Sequence, residues 1–352
     1  MTVMEMPATG VANVLRGLYD ALARVRPGIA VTGIHRRPLA TIPPARVDAR
    51  RIGGLLPSSL WRSLALPYEA RRMREPIVHF PWNGRVPRLP KETRTVTTLH
   101  DVLPLSIPGY FARDEDREDY RAERRRDALR STVIVTDSEY SKGEIIRHIQ
   151  PPREPVVIPC ATAIGAHAAD PTPGSRSYFL YVGGLDPRKS VDTLLDVFGR
   201  LRREGSLSAN LVVAGSSRHA PPALAAQLRD AVAGGYAEAP GYVSDAELAR
   251  LYRGALALVY PSRYEGFGMP PLEAMTLGCP VIAARACSIP EVCGDAAVYI
   301  EPWSPRGIAE AMQRLEQDAP LRERLRREGI ARAAQFSWER AADAFVRLLE
   351  GL

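Results

Sequence analysis

The feature that most constrains this chain is an alternation of short strand-like runs and amphipathic helical segments, made twice over. In the first half, β-branched or aromatic runs stand at Ile29–Ile34, Pro76–Phe80, Thr95–Leu99, Thr132–Thr136 and Pro155–Ile158. Helical patterns such as Val11–Arg24 and Ser141–Ile149 lie between or beside them. The second half repeats the alternation at Tyr178–Val182, Asn210–Ala214, Leu256–Tyr260, Pro280–Ala283 and Ala297–Ile300. Strands separated by helices give parallel sheets with crossover connections. A polar, Pro-containing stretch, GAHAADPTPGSRS (165–177), reads as the linker between the two blocks. The expectation is an α/β protein of two doubly wound, Rossmann-like domains, whose ligands bind at the carboxyl ends of the strands.

The rest of the composition narrows the class. The chain has 352 residues, 45% hydrophobic and 25% charged, which excludes a disordered tail, a collagen repeat and a coiled coil. No apolar run approaches the ~20 residues of a membrane span. MTVMEMPATG has no signal-peptide h-region, and four cysteines (Cys160, Cys279, Cys287, Cys293) form no CxxC pair, so a cytoplasmic location is expected. Charge is uneven: residues 1–165 hold 26 basic and 18 acidic side chains, whereas 166–352 hold 21 and 22. The excess peaks in 24–94, with 15 basic against four acidic. A basic half fits an anionic partner (nucleic acid, phospholipid or phosphorylated substrate) or an ordinary arginine-rich surface.

Three loops carry chemistry. After Tyr178–Val182 comes GGLDPRKS, then a helix with Ser190 as N-cap and an apolar stripe of Val191, Leu194, Leu195, Phe198 and Leu201. Gly183 and Gly184 allow close backbone approach, and Arg188 and Lys189 sit where a helix start favours anions. Arg188 occupies the second Gly position of a Walker A loop, which excludes that motif. What remains is a diphosphate clamp or a charged surface loop. After Leu256–Tyr260 comes PSRYEGFGMPPLEAMTLGCPVI. Glu265 lies in a Gly-rich turn, and Glu273 suits the first turn of a helix that ends at Gly278. Glu273 there could take two vicinal hydroxyls or simply complement the helix dipole. The third loop, GYVSDAELARLYRGA, starts a helix with Ser244-x-x-Glu247 and leaves Gly241-Tyr242-Val243 at the strand end.

In that order these three segments, with Glu265 and Glu273 as an E-x7-E pair, resemble the retaining GT-B glycosyltransferases of family GT4. The resemblance covers 178–338. In the amino half it is carried by TGVANVLRGLYDAL, TTLHDVLPLSIPGYF and TDSEYSKGEIIRHI, and FSWERAADAFVRLLEGL resembles the family's returning terminal helix. It implies a GT-B fold with its two domains facing a cleft: 1–165 on the acceptor side, 166–336 binding the nucleotide sugar, and 337–352 packing back on the first. It also implies that Arg188 and Lys189 hold the donor diphosphate, Glu273 the ribose, and Glu265 with the amides of Phe267, Gly268 and Met269 the transferred sugar. Gly10, in a first βα loop after a short strand Thr2–Met6, would approach the diphosphate. Gly183, Gly184 and Gly215 complete the donor set, Val243 would touch the base, and His100 would stand near the reacting carbon. Gly184 replaces an arginine common in relatives, a charge Arg188 could supply.

The function implied is transfer of a hexose, with a lean to mannose from GDP-mannose, to a hydroxyl of a glycan or lipid-linked acceptor in polysaccharide synthesis. The anomeric configuration would be retained, with front-face attack and a leaving phosphate that takes the acceptor's proton. No cofactor and no metal are expected, because no His/Cys cluster suggests an obligatory metal. SLWRSLALPYEA followed by Arg71, Arg72 and Arg74 is an arginine-flanked apolar patch suited to peripheral contact with an anionic membrane on its inner face, or to no membrane at all. The alternatives are a GT-B sugar-nucleotide 2-epimerase, which needs acid/base carboxylates in the first domain, and a basic nucleic-acid-binding protein, for which no RNP, KH or zinc pattern exists. A dehydrogenase would need GxGxxG after a strand, which is absent.

Overall fold

The computed structural model describes residues 2–5, 10–73, 77–167, 177–218 and 220–352. Two units divide the chain: one runs to Ala161 and takes back Phe336–Leu352, and the other is Thr162–Gln335.

In the first unit Val31–His35 (β1) and Val47–Arg51 (β2) pair in parallel. Ile77–Phe80 (β3), Arg94–Thr98 (β4), Val133–Thr136 (β5) and Val156–Val157 (β6) form a second parallel sheet in the order β3-β4-β5-β6. The strand β2 (VDARR) escapes a periodicity reading because four of its five residues are exposed and polar or small. The helix Gly10–Val25 packs on the terminal helix Trp338–Glu350. Gly17 makes that contact possible, since a Cβ there would collide with the Trp338 ring. Tyr19, His79 and Phe345 stack beside it, and Arg24 meets Glu339 at 2.7 Å.

Three expectations are corrected here. Thr2–Glu5 is a 3-10 turn and no strand: Met4 is buried against Leu15, and its carbonyl accepts a hydrogen bond from the Ala40 N–H. Gly10 is the exposed first residue of the helix Gly10–Val25. Met6, Thr9, Arg74 and Pro76 lie outside the described residues. The expected linker also starts too early, because Ile164–His167 is a 3-10 turn packed on the helix Asp245–Gly254 of the second unit.

The second unit carries the larger core. Tyr178–Val182 (β7), Asn210–Ala214 (β8), Ala237–Gly241 (β9), Ala255–Tyr260 (β10), Val281–Ala284 (β11) and Val298–Ile300 (β12) make one parallel sheet, ordered β12-β11-β10-β7-β8-β9. Every residue of β10 is buried, as a central strand covered on both faces requires. β9 (AEAPG) is largely exposed and contains Pro240, which an edge strand tolerates. The helix Val191–Arg203 buries the whole stripe Val191, Leu194, Leu195, Phe198 and Leu201. Strand order reverses between β7 and β10, and ligands of open α/β sheets bind in the crevice outside such a reversal.

Candidate active site

The two loops singled out in the sequence leave these two adjacent strands. β7 runs into Gly183 and β10 into Pro261, so the fold sets GGLDPRKS beside PSRYEGFGM at the switch point. Backbone and side chain then join them. The Arg263 N–H donates to Arg188 O at 2.9 Å, Arg263 Nη2 donates to Pro187 O at 2.6 Å, and Arg188 Nη1 donates to Tyr264 O.

Glu265 is the centre of the arrangement. Its Oε1 lies 2.9 Å from Arg188 Nη1 and 3.5 Å from Lys189 Nζ, and it accepts hydrogen bonds from Tyr260 OH (2.7 Å) and Ser262 Oγ (2.8 Å). Burial works against its charge, but the two cations and two hydroxyls outweigh burial and hold the carboxyl at about 2. Four donors converge on one oxygen. Lys189 reaches its position across Gly183, where φ is +143° and a Cβ would stand 2.9 Å from Nζ. Its ammonium also lies 5.4 Å from the centre of the Tyr260 ring.

Three glycines with positive φ end three neighbouring strands: Gly183 after β7, Gly215 (φ +145°) after β8 and Gly241 (φ +77°) closing β9. Gly183 N–H donates to Ala214 O and Gly215 N–H to Gly241 O. A Cβ on Gly215 would collide with the Gly183 carbonyl, so this approach of two backbones requires glycine. Gly184 is different, with nothing nearer than Ser216 O at 3.8 Å, and its place has room for a side chain.

Two local expectations are corrected. Ser190 stands before its helix in left-handed conformation (φ +53°), and its buried Oγ has no hydrogen-bond partner, so it does not cap. Asp186 caps instead, accepting from Arg188 N–H at the preceding 3-10 turn Pro187–Lys189. Glu273 falls in the second turn of the helix Met269–Thr276, because Met269 and Pro270 are already helical. There it accepts from Tyr252 OH at 2.9 Å, and burial pushes its carboxyl up to about 7 against that hydrogen bond. Gly278 does follow the helix in left-handed conformation (φ +68°).

Phe267, Gly268 and Met269 lead into that helix, with Gly268 (φ +119°) at its N-cap. The sequence reading missed what holds this turn. Ser288, fully buried, places its hydroxyl 2.8 Å from Glu265 O and 2.7 Å from Phe267 O. Tyr260, Ser262 and Tyr252 were missed as well, although Tyr260 and Ser262 stand within five residues of Glu265. Ser244 caps its helix as expected, but the Glu247 carboxylate is held by Arg250, and Val243 lies half-buried in the link from β9.

His100 stands in the first unit, two residues beyond β4, and its surroundings are specific. Its Nδ1 lies 2.7 Å from Asp137 Oδ2, its backbone N–H donates to Asn83 Oδ1 (2.9 Å), and Thr136 Oγ1 donates to its carbonyl. A cavity of about 30 Å³, the size of one water, lies among His79, His100, Asp137 and Cys160. Burial of His100 lowers its pKa, but Asp137, Asp101 and the Pro81 carbonyl together outweigh burial, and the net shift is upward.

Two parallel α/β units, one with a lysine, an arginine and a buried carboxylate at its switch point, have the architecture of a GT-B glycosyltransferase. The family model of glycosyl transferases group 1 matches residues 166–332. The chain is 34% identical over 262 residues to the O-antigen chain mannosyltransferase B of Escherichia coli, covering 70% of this chain and 67% of that protein. It is 26% identical over 278 residues to the E. coli serotype-specific mannosyltransferase WbdA, spanning 73% of this chain and only 34% of that longer protein. The solved structure of WaaG, a glycosyltransferase involved in lipopolysaccharide biosynthesis, superposes with a TM-score of 0.76 at 18% identity, covering 99% and 98% of the two chains. The chain belongs to the glycosyl transferases group 1 family.

Proposed function

We propose that this chain is a retaining mannosyltransferase of polysaccharide synthesis, moving mannose from GDP-mannose to a hydroxyl of a glycan or lipid-linked acceptor. The observation that carries the reading is the convergence of Arg188 and Lys189 on Glu265 at the switch point. The two E. coli relatives named as mannosyltransferases support the donor sugar.

In this reading Lys189 and Arg188 stabilise the charge that develops on the departing diphosphate. Arg188 also welds the phosphate loop to the Glu265 turn. The Gly183 and Gly215 backbones admit the diphosphate, Glu273 takes the ribose hydroxyls, and Val243 meets the base through its backbone. Glu265 Oε2 and the amides of Phe267, Gly268 and Met269 hold the sugar. His100, oriented by Asp137, stands by the reacting carbon, and the leaving phosphate takes the acceptor's proton. The two cations fill the place of a metal ion. Incubation of GDP-mannose with mannose-terminated acceptors, followed by NMR of the anomeric proton, tests this. An α-linked product supports retention. Inverted product, free epimer or no transfer contradicts it.

A further inference from the structure

The helical stretch 58–73 of the first unit presents an apolar face to solvent. It comprises Ser58–Leu60, a π-helical turn Trp61–Ala65 and Leu66–Met73. Trp61 and Ala70 are buried, and the Trp61 indole N–H donates to Ile52 O. On the solvent side Leu60, Leu64 and Tyr68, at i, i+4 and i+8, are 44%, 61% and 65% exposed, and Leu55 in the preceding loop is fully exposed. Residues at this spacing share one face of a helix.

The surrounding charge is predominantly positive. Residues 36–73 contain eight arginines (Arg36, Arg37, Arg46, Arg50, Arg51, Arg62, Arg71, Arg72) against Asp48 and Glu69. Arg36 Nη1 donates to Leu56 O, and Arg51 Nε donates to Arg36 O, so both guanidinium groups border the loop that carries Leu55. Arg71 and Arg72 are exposed at the far end of the stripe, Arg72 in a 2.7 Å ion pair with Glu69. Among the described residues no helix is long and apolar enough to cross a membrane. Exposed leucines with a tyrosine, ringed by arginine, match the boundary between acyl chains and anionic headgroups.

We propose that Leu55, Leu60, Leu64 and Tyr68, with Arg36, Arg51, Arg71 and Arg72, form a peripheral docking surface for an anionic phospholipid bilayer. The apolar side chains enter the headgroup boundary, and the guanidinium groups meet lipid phosphates. The surface deepens the proposed function, because it would bring a lipid-linked acceptor to the enzyme, but its chemistry does not depend on the donor.

The test is flotation of the full chain with vesicles of phosphatidylcholine alone and of phosphatidylcholine with phosphatidylglycerol. The wild type is expected to float with the anionic vesicles only, and less at high salt. Two double variants, Leu60→Asp with Leu64→Asp and Arg71→Glu with Arg72→Glu, are each expected to lose at least about tenfold in partition. Both sites are exposed, so circular dichroism should report an unchanged fold. Nucleotide-induced stabilisation, measured on the same samples, reads the donor site separately. The proposal is overturned if the wild type does not float, if it floats equally with neutral vesicles, or if both variants float like the wild type. It is equally overturned if the leucine variant turns a dimer into a monomer without changing flotation, since the face would then join two copies of this chain.

Discussion

His100 Nδ1 and Asp137 Oδ2 are 2.7 Å apart, one just beyond β4 and the other directly after the neighbouring strand β5. Both side chains are largely buried, so the carboxylate holds the imidazole in one orientation and favours its charged form. A histidine raised above its ordinary value of 6.5 contributes stability that is complete below 6.5 and is lost as pH rises through the raised value.

Asp137→Asn should therefore lower the His100 pKa and cost roughly 2–4 kcal/mol at pH 6, where the imidazolium loses its partner. The cost should shrink at pH 9. Imidazole NMR and denaturant melts at the two pH values check this, and equal losses at both would count against the pair.

His79 carries the opposite sign. Tyr19 OH lies 2.8 Å from its Nδ1 and Thr98 Oγ1 lies 2.8 Å from its Nε2, and burial lowers its pKa to about 3. The unfolded chain binds a proton that the folded one refuses between 6.5 and 3, so stability should fall by several kcal/mol as pH drops through that window. His79→Gln should flatten this acid limb in a pH series of urea melts.

Gly215 and Gly184 offer a matched pair of backbone tests. Gly215→Ala forces an L residue into φ +145° and drives its Cβ into the Gly183 carbonyl. A loss of more than about 3 kcal/mol is expected, with nucleotide binding abolished. Gly184→Ala should change stability by less than about 0.5 kcal/mol. Urea melts of the two variants distinguish them.

Glu273 should make nucleotide binding pH-dependent. Its carboxyl titrates near 7 in the free protein, and ribose hydroxyls donate better to the charged form. Affinity for the nucleotide should rise through pH 7, and Glu273→Gln should remove that rise. Calorimetry from pH 5.5 to 8.5 reads both. The raised value also means that Glu273 favours the folded state most below its unfolded pKa, about 4.5, and progressively less as pH climbs to 7.

Much of the second unit was legible because its strands are continuous apolar runs: Tyr178–Val182 and Asn210–Ala214 were placed to the residue. β2 and β9 escaped because short, largely exposed edge or paired strands lack that signal. The charged and glycine residues assigned to the candidate site were readable from charge and glycine spacing. The side chains that hold Glu265, Glu273 and, in the first unit, His100 were not, because Ser288 comes from the segment between β11 and β12, Tyr252 from a separate helix and Asp137 from the strand next to β4. Contacts made by three-dimensional proximity leave no spacing in the chain. The opening 3-10 turn was misread for a related reason: Met4 belongs to the packing under a helix, and TVMEM alone resembles a strand.

The central claim is that Lys189 and Glu273, on loops leaving the sheet of the second unit, hold a nucleoside diphosphate. The direct measurement is thermal unfolding of the wild type and Lys189→Ala with GDP, UDP, dTDP and ADP at millimolar concentration. A ligand at about 100 times its dissociation constant adds roughly 2.7 kcal/mol, a shift of a few degrees. The account predicts that GDP stabilises the wild type more than the other three do and leaves Lys189→Ala unmoved. An unshifted wild type, or a variant stabilised as strongly as the wild type, would contradict it.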